Sequence, residues 1–126
     1  MIKERVDYAK NFLIVKPGLN QKHFAKLTYD EETDTYGLII PKDAERQELP
    51  AIPYLLQKKG VYEADDHFAR MFVKERVIPP ERQNIGMIMR KIGIRRYREF
   101  DLLVYNEGRS CQDDFILKEV TEEMKQ

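Results

Sequence analysis

Residues 24–41 read FAKLTYDEETDTYGLIIP, and this stretch decides the fold. Phe24, Lys26 and Thr28 alternate with Ala25, Leu27 and Tyr29, the polar run Asp30-Glu31-Glu32-Thr33-Asp34 intervenes, and Tyr36 to Ile40 is again rich in β-formers. Two such segments joined by a short polar loop predict an antiparallel hairpin, and Pro41, which has no N–H to give to a ladder, closes it. Upstream, the apolar run Phe12-Leu13-Ile14-Val15 is stopped by Pro17-Gly18, which predicts a strand over 11–16. Downstream, two prolines between Glu48 and Pro53 predict a connector, with Tyr54-Leu55-Leu56 opening a short helix that ends at Gly60.

The second half carries helical spacing. Asp65 and Asp66 place negative charge where a helix amino terminus favours it, and Ala64, Phe68, Met71 and Phe72 recur as one buried stripe. Pro79-Pro80-Glu81 suits a helix start, and Ile85, Ile88, Met89 and Ile92 follow at i, i+3, i+4 and i+7. Gly93 is the expected carboxy-terminal cap, with Arg90 and Lys91 where cations complement the helix dipole. A further helix is expected over 97–105 with Tyr97, Phe100, Leu103 and Val104 inward, broken by Asn106-Glu107-Gly108, and Phe115 to Val120 reads as a terminal strand. The expected fold class is therefore α+β: a small antiparallel sheet with an amino-terminal hairpin, three to four short helices and a terminal strand.

The 126 residues, 42% of them hydrophobic, match the size of one domain, expected to run over 1–126 with residues 121–126 as a flexible tail. No run approaches the roughly 18–20 apolar residues of a membrane-spanning helix. The first fifteen residues, with Lys3, Glu4, Arg5, Asp7 and Lys10 ahead of any apolar run, lack the layout of a secretory signal, so a cytoplasmic location without membrane contact is expected. A single cysteine, Cys111, supports neither an internal disulfide nor a four-thiolate zinc site, and a partly buried structural cysteine is expected there.

Lys plus Arg equals Asp plus Glu at 22 each, but the charge is segregated. Residues 1–29 hold six basic and two acidic side chains; residues 30–48 hold two basic and seven acidic. Residues 70–98 hold nine cations (Arg70, Lys74, Arg76, Arg82, Arg90, Lys91, Arg95, Arg96 and Arg98) against Glu75 and Glu81, and residues 99–126 are acidic again. Such a chain either pairs its blocks internally or offers a basic face to a partner.

Catalytic signatures are lacking. Asp30, Glu32 and Asp34 have the odd-position carboxylates of a calcium loop without its glycine at place six or its glutamate at place twelve, which is Pro41, so a solvated turn is expected. His23 and His67 stand 44 residues apart with no adjoining Cys or His. The flanks of Cys111 match no cysteine hydrolase, and the glycines occur singly, so no phosphate-cradling loop exists. Asp65-Asp66 and Asp113-Asp114 are read as caps and turns. No catalytic residue, metal or cofactor is expected. What stands out is Arg90, Lys91, Arg95, Arg96 and Arg98 around Tyr97, a set that suits phosphate contact with a stacking ring. Its place between two helices invites a helix-turn-helix reading, although Glu99, Asp101 and a mostly apolar second helix leave few side chains for base edges.

The order Val77-Ile78-Pro79-Pro80-Glu81-Arg82-Gln83-Asn84-Ile85, then Gly93-Ile94, Phe100-Asp101-Leu102-Leu103 and Gly108-Arg109-Ser110-Cys111, resembles the amino-terminal subdomain of HipA-type kinase toxins, which also occurs as a separate small protein beside a truncated kinase. The likeness spans about residues 22–120. Where that family has small residues after the cysteine, this chain has Gln112-Asp113-Asp114, and the kinase catalytic elements are not in this sequence. The resemblance implies a noncatalytic module that docks on and modulates a kinase-like partner, of toxin–antitoxin or phage-defence type. Clustering and motif position together mark Arg82, Arg90, Lys91, Arg95, Arg96, Tyr97, Arg98 and Arg109 as the partner-binding set. The alternatives are a nucleic-acid-binding protein that uses residues 90–98, or a small inhibitor of an unrelated enzyme.

Overall fold

Alternation along the hairpin sets which face of the sheet is dry. The computed structural model describes residues 9–120; the tail expected at 121–126 lies outside the described residues. Strand β1 (Ala9–Val15) pairs with β2 (Lys26–Asp30), which pairs with β3 (Thr35–Ile39), and the sheet is completed by β4 (Glu63–Ala64) and β5 (Ile116–Glu119) in the antiparallel order β4-β3-β2-β1-β5. Phe12, Leu27 and Leu38 are cross-strand neighbours, as are Tyr29 with Tyr36 and Ile14 with Leu117, and all are buried on one face. The intervening row Lys118, Leu13, Lys26, Ile39 and Glu63 occupies the other face, half-buried or exposed. The predicted hairpin, strand β1 and terminal strand are present, and the class is α+β.

Four α-helices are present among the described residues: α1 (Ala51–Lys58), α2 (Asp66–Lys74), α3 (Ile85–Ile92) and α4 (Glu99–Tyr105). Leu56 of α1, Ala69, Phe72 and Val73 of α2, and Phe100 and Leu103 of α4 close the core over the dry face of the sheet. The ring of Phe100 stacks on Tyr29 with centroids 3.9 Å apart, and meets Phe12 edge-on at 5.9 Å. None of these helices is long and apolar enough to cross a membrane.

Four expectations need correction. The helix start expected at Pro79-Pro80-Glu81 is a run of turns, in which the Arg82 N–H returns to the Pro79 carbonyl and the Ile85 N–H to the Arg82 carbonyl, and α3 begins only at Ile85. The connector over 48–53 is shorter than expected: α1 begins at Ala51, with Pro50 as its cap and Pro53 buried in its first turn, where a missing N–H leaves no bond unmade. Ala64 lies in β4, ahead of α2, whose buried stripe is Ala69, Phe72 and Val73, whereas Phe68 and Met71 are 41% and 47% exposed. The helix lies against β3, and that contact turns Phe68 and Met71 outward. In α4, which starts at Glu99 rather than Tyr97, Leu102 is buried and Val104 is exposed. Leu102 is buried outside the main core cluster, while Phe100 and Leu103 belong to it.

Two buried ionic side chains tie the connections to this core. Glu48 accepts from the backbone N–H of Lys22 (2.7 Å), His23 (3.1 Å) and Glu45 (2.9 Å), and His23 Nδ1 lies 3.3 Å from it. Those donors, the Glu45 N–H foremost, hold its carboxyl down at about 2. Arg76, just past the end of α2, is 2% exposed. Its Nη1 donates to the carbonyls of Gly108 (2.8 Å) and Phe115 (3.2 Å), its Nη2 pairs with Asp113, and its guanidinium covers the Phe72 ring at 4.5 Å. Gly108 sits at φ 68 with Leu117 packed against its Cα, a place that admits no side chain.

Arg76→Met should lower unfolding free energy by about 2–4 kcal/mol in denaturant titrations, because two carbonyls and a partly buried carboxylate lose their donor. Glu48 contributes stability at pH values above its ordinary 4.5 that drains away as pH falls toward about 2. Thermal midpoints across that window should therefore fall less steeply in Glu48→Gln than in the parent chain.

Candidate interaction surface

The nine cations of residues 70–98 separate into two groups. Arg70 donates to Asp66 (2.9 and 3.0 Å), to Glu99 (3.0 Å) and to the Asp34 carbonyl (2.6 Å), and its guanidinium lies over the Tyr36 ring. The hydrogen bond from Arg70 holds the Asp66 carboxyl below its usual range. Lys74 pairs with Glu99 at 3.4 Å and Arg76 with Asp113. Arg98 reaches Asp101 at 3.6 Å and Glu31 at 3.9 Å. These four serve the fold. Arg82, Arg90, Lys91, Arg95 and Arg96 are all exposed, and among the described residues none has an acidic side chain within ion-pair distance.

All five unpaired cations sit on or beside α3. Arg82 lies in the turn that leads into it, where the Arg82 N–H donates to the Pro79 carbonyl (3.1 Å) and the Arg82 carbonyl accepts from Ile85 (3.0 Å). Arg90 and Lys91 form its last turn. Gly93 caps it in the left-handed region at φ 84, where the N–H groups of Gly93 and Ile94 both return to the Met89 carbonyl. Arg95 and Arg96 follow in the short passage to α4. The predicted apolar stripe of Ile85, Ile88, Met89 and Ile92 is only half-buried, no residue of α3 is fully buried, and α3 supplies none of the partly buried residues that pack against the core. Met87, opposite that stripe, is 67% exposed.

Three members of the expected set are committed elsewhere. Tyr97 is half-buried and its hydroxyl donates to the Ile78 carbonyl at 2.7 Å, which staples the two ends of the 78–97 excursion together. Burial pushes its hydroxyl pKa up. Arg98 is held by its two acids, and Arg109 pairs with Glu107 at 3.0 Å on the α4–β5 loop, where it lines a cleft with Pro17, Asp113 and Asp114. The structure thus gathers Arg82, Arg90, Lys91, Arg95 and Arg96 and sets Tyr97, Arg98 and Arg109 apart from them. Sequence reasoning passed over Met87, although the same helical spacing that put Ile88 and Ile92 inward puts it outward.

The remaining candidates resolve into structural roles. Asp65 caps α2 by accepting from the His67 N–H (3.2 Å), and Asp30 accepts from Glu32 and Thr33 to form the hairpin turn. Asp34 accepts from the Tyr29 hydroxyl at 2.8 Å, and burial with that contact raises Tyr29 to about 12. Cys111, expected to be partly buried, is exposed, since the contacts of Arg76 fall on Gly108, Asp113 and Phe115 to either side of it. No group of three or more His, Cys, Asp or Glu side chains is placed to hold a metal among the described residues.

No protein-family model, no curated protein and no solved structure matches the chain.

Tyr97→Phe removes only the staple to Ile78, so it should cost about 1 kcal/mol in denaturant unfolding. Arg95 and Arg96 stay exposed, and amide exchange over 78–97 should quicken while the sheet is unchanged.

Proposed function

We propose that the chain is a noncatalytic docking module that engages an acidic face of a kinase-like protein and modulates it, in a toxin–antitoxin or phage-defence setting. The observation that carries this proposal is the separation of cations: Arg82, Arg90, Lys91, Arg95 and Arg96 have no acidic partner among the described residues and surround a helix with no fully buried residue. Unpaired charges of one sign gathered at one place speed association and fix orientation. The residues that carry the resemblance to HipA-type subdomains fall on the turn before α3, its glycine cap, α4 and the Gly108 turn.

A nucleic-acid role draws on the same five cations. It lacks the stacking ring that would accompany them, because the Tyr97 hydroxyl is bound to Ile78 and the ring is half-buried. The two differ in salt response, since phosphate binding weakens steeply with salt and an interface with an apolar centre does not.

The test is capture of partners from native-cell lysate by the tagged chain, after nuclease treatment and washing at moderate salt. The parent chain should retain a kinase-like protein in stoichiometric amount. Arg95→Glu combined with Arg96→Glu should lose it while the thermal midpoint shifts by no more than about 2 °C. Recovery of nucleic acid alone, all of it removed by nuclease, would contradict the proposal, as would unfolding of the double variant.

A further inference from the structure

Met87 is the most exposed of the large apolar side chains among the described residues that face solvent. It precedes Arg90 by three positions and Lys91 by four, so the three stand side by side on the outer face of α3. Gly86 adjoins it and has no side chain; a Cβ built there would meet only the Arg90 Nη1 at 3.9 Å, so a partner can approach the helix closely. Ile85, Ile88, Met89 and Ile92 take the opposite side and are half-buried.

We propose that Met87 is the anchor of the docking surface, inserted into an apolar pocket of the partner whose rim carries Asp or Glu side chains facing Arg90, Lys91, Arg82, Arg95 and Arg96. This rests on the docking function proposed above and adds the chemistry of the partner's site. An apolar centre within a polar, charged rim is the anatomy of a protein–protein contact, with few central residues carrying most of the affinity. A thioether on three rotatable bonds adapts to the pocket it enters. Four of the five surrounding cations are arginines, whose planar forks bind carboxylates through two parallel hydrogen bonds. A phosphate backbone offers no apolar pocket for Met87, and two turns of helix with one outward methionine bury too little to hold a lipid surface.

Photoreactive benzoylphenylalanine in place of Met87, in the full chain irradiated in its native cell, reads the contact directly. The expected product is one protein adduct, in which the crosslinked peptide has apolar residues flanked by Asp or Glu. Met87→Glu should weaken capture about tenfold or more without moving the thermal midpoint, and Met87→Leu should retain it. Adducts to a second copy of the chain, to nucleic acid or to lipid overturn the proposal. So does the absence of any adduct while Arg95→Glu with Arg96→Glu still abolishes capture, in which case docking stands and the anchor falls. If neither Met87→Glu nor the double arginine variant affects capture, docking through α3 and its flanking turns is refuted, and the anchor with it.

Discussion

The buried guanidinium of Arg76 is the constraint around which the second half of the molecule is arranged. Placing a cation where 2% of it meets water is costly unless it is partnered, and the two terminal nitrogens of Arg76 are partnered by two carbonyls and one carboxylate, with an aromatic face beneath, while its Nε is left without a hydrogen bond. All but the Phe72 ring come from the loop between α4 and β5, so a single side chain fixes the end of α2 to the strand that completes the sheet beside β1. Phe100, stacked on Tyr29, and Glu99, bound by Arg70 and Lys74, secure the start of α4 in the same way. Residues 77–98 are thereby suspended between two fixed points and contribute little to the core.

That arrangement explains why charge can accumulate there. A cation beside the core must find a partner or lose its hydration, and Arg70, Lys74, Arg76 and Arg98 have done so. On α3 and the adjoining turns the side chains stay hydrated, so the fold tolerates five positive charges that find no acid among the described residues. A helix with no fully buried residue belongs to the low-stability end of the structure and can adjust to a partner at little cost. Met87 sits where such an adjustment would be read.

The hairpin, β1, β5 and the Gly93 cap were legible in the sequence because alternation, turn chemistry and a glycine stop are local. The phase of α2 was not: Phe68 and Met71 have the spacing of a buried stripe, and only the position of β3 selects Ala69, Phe72 and Val73 instead. The early start of α1 was hidden by reading Pro50 and Pro53 as breakers, when a first turn accepts both. Arg76 was indistinguishable from its basic neighbours, since its partners lie 32 to 39 residues further along the chain. For the same reason the basic cluster could be found as a stretch, but the division that leaves Arg98 and Tyr97 in structural roles and Arg95 and Arg96 free is set by tertiary contacts.

The claim that α3 and its flanking turns form the contact surface is tested most directly by hydrogen exchange, measured on the chain alone and on the chain bound to the protein it captures. Protection gained over residues 82–96, with the sheet unchanged, is the predicted result. No gain there, with protection appearing instead on the open sheet face around Leu13, Lys26 and Ile39 or on the α4–β5 loop, would contradict it.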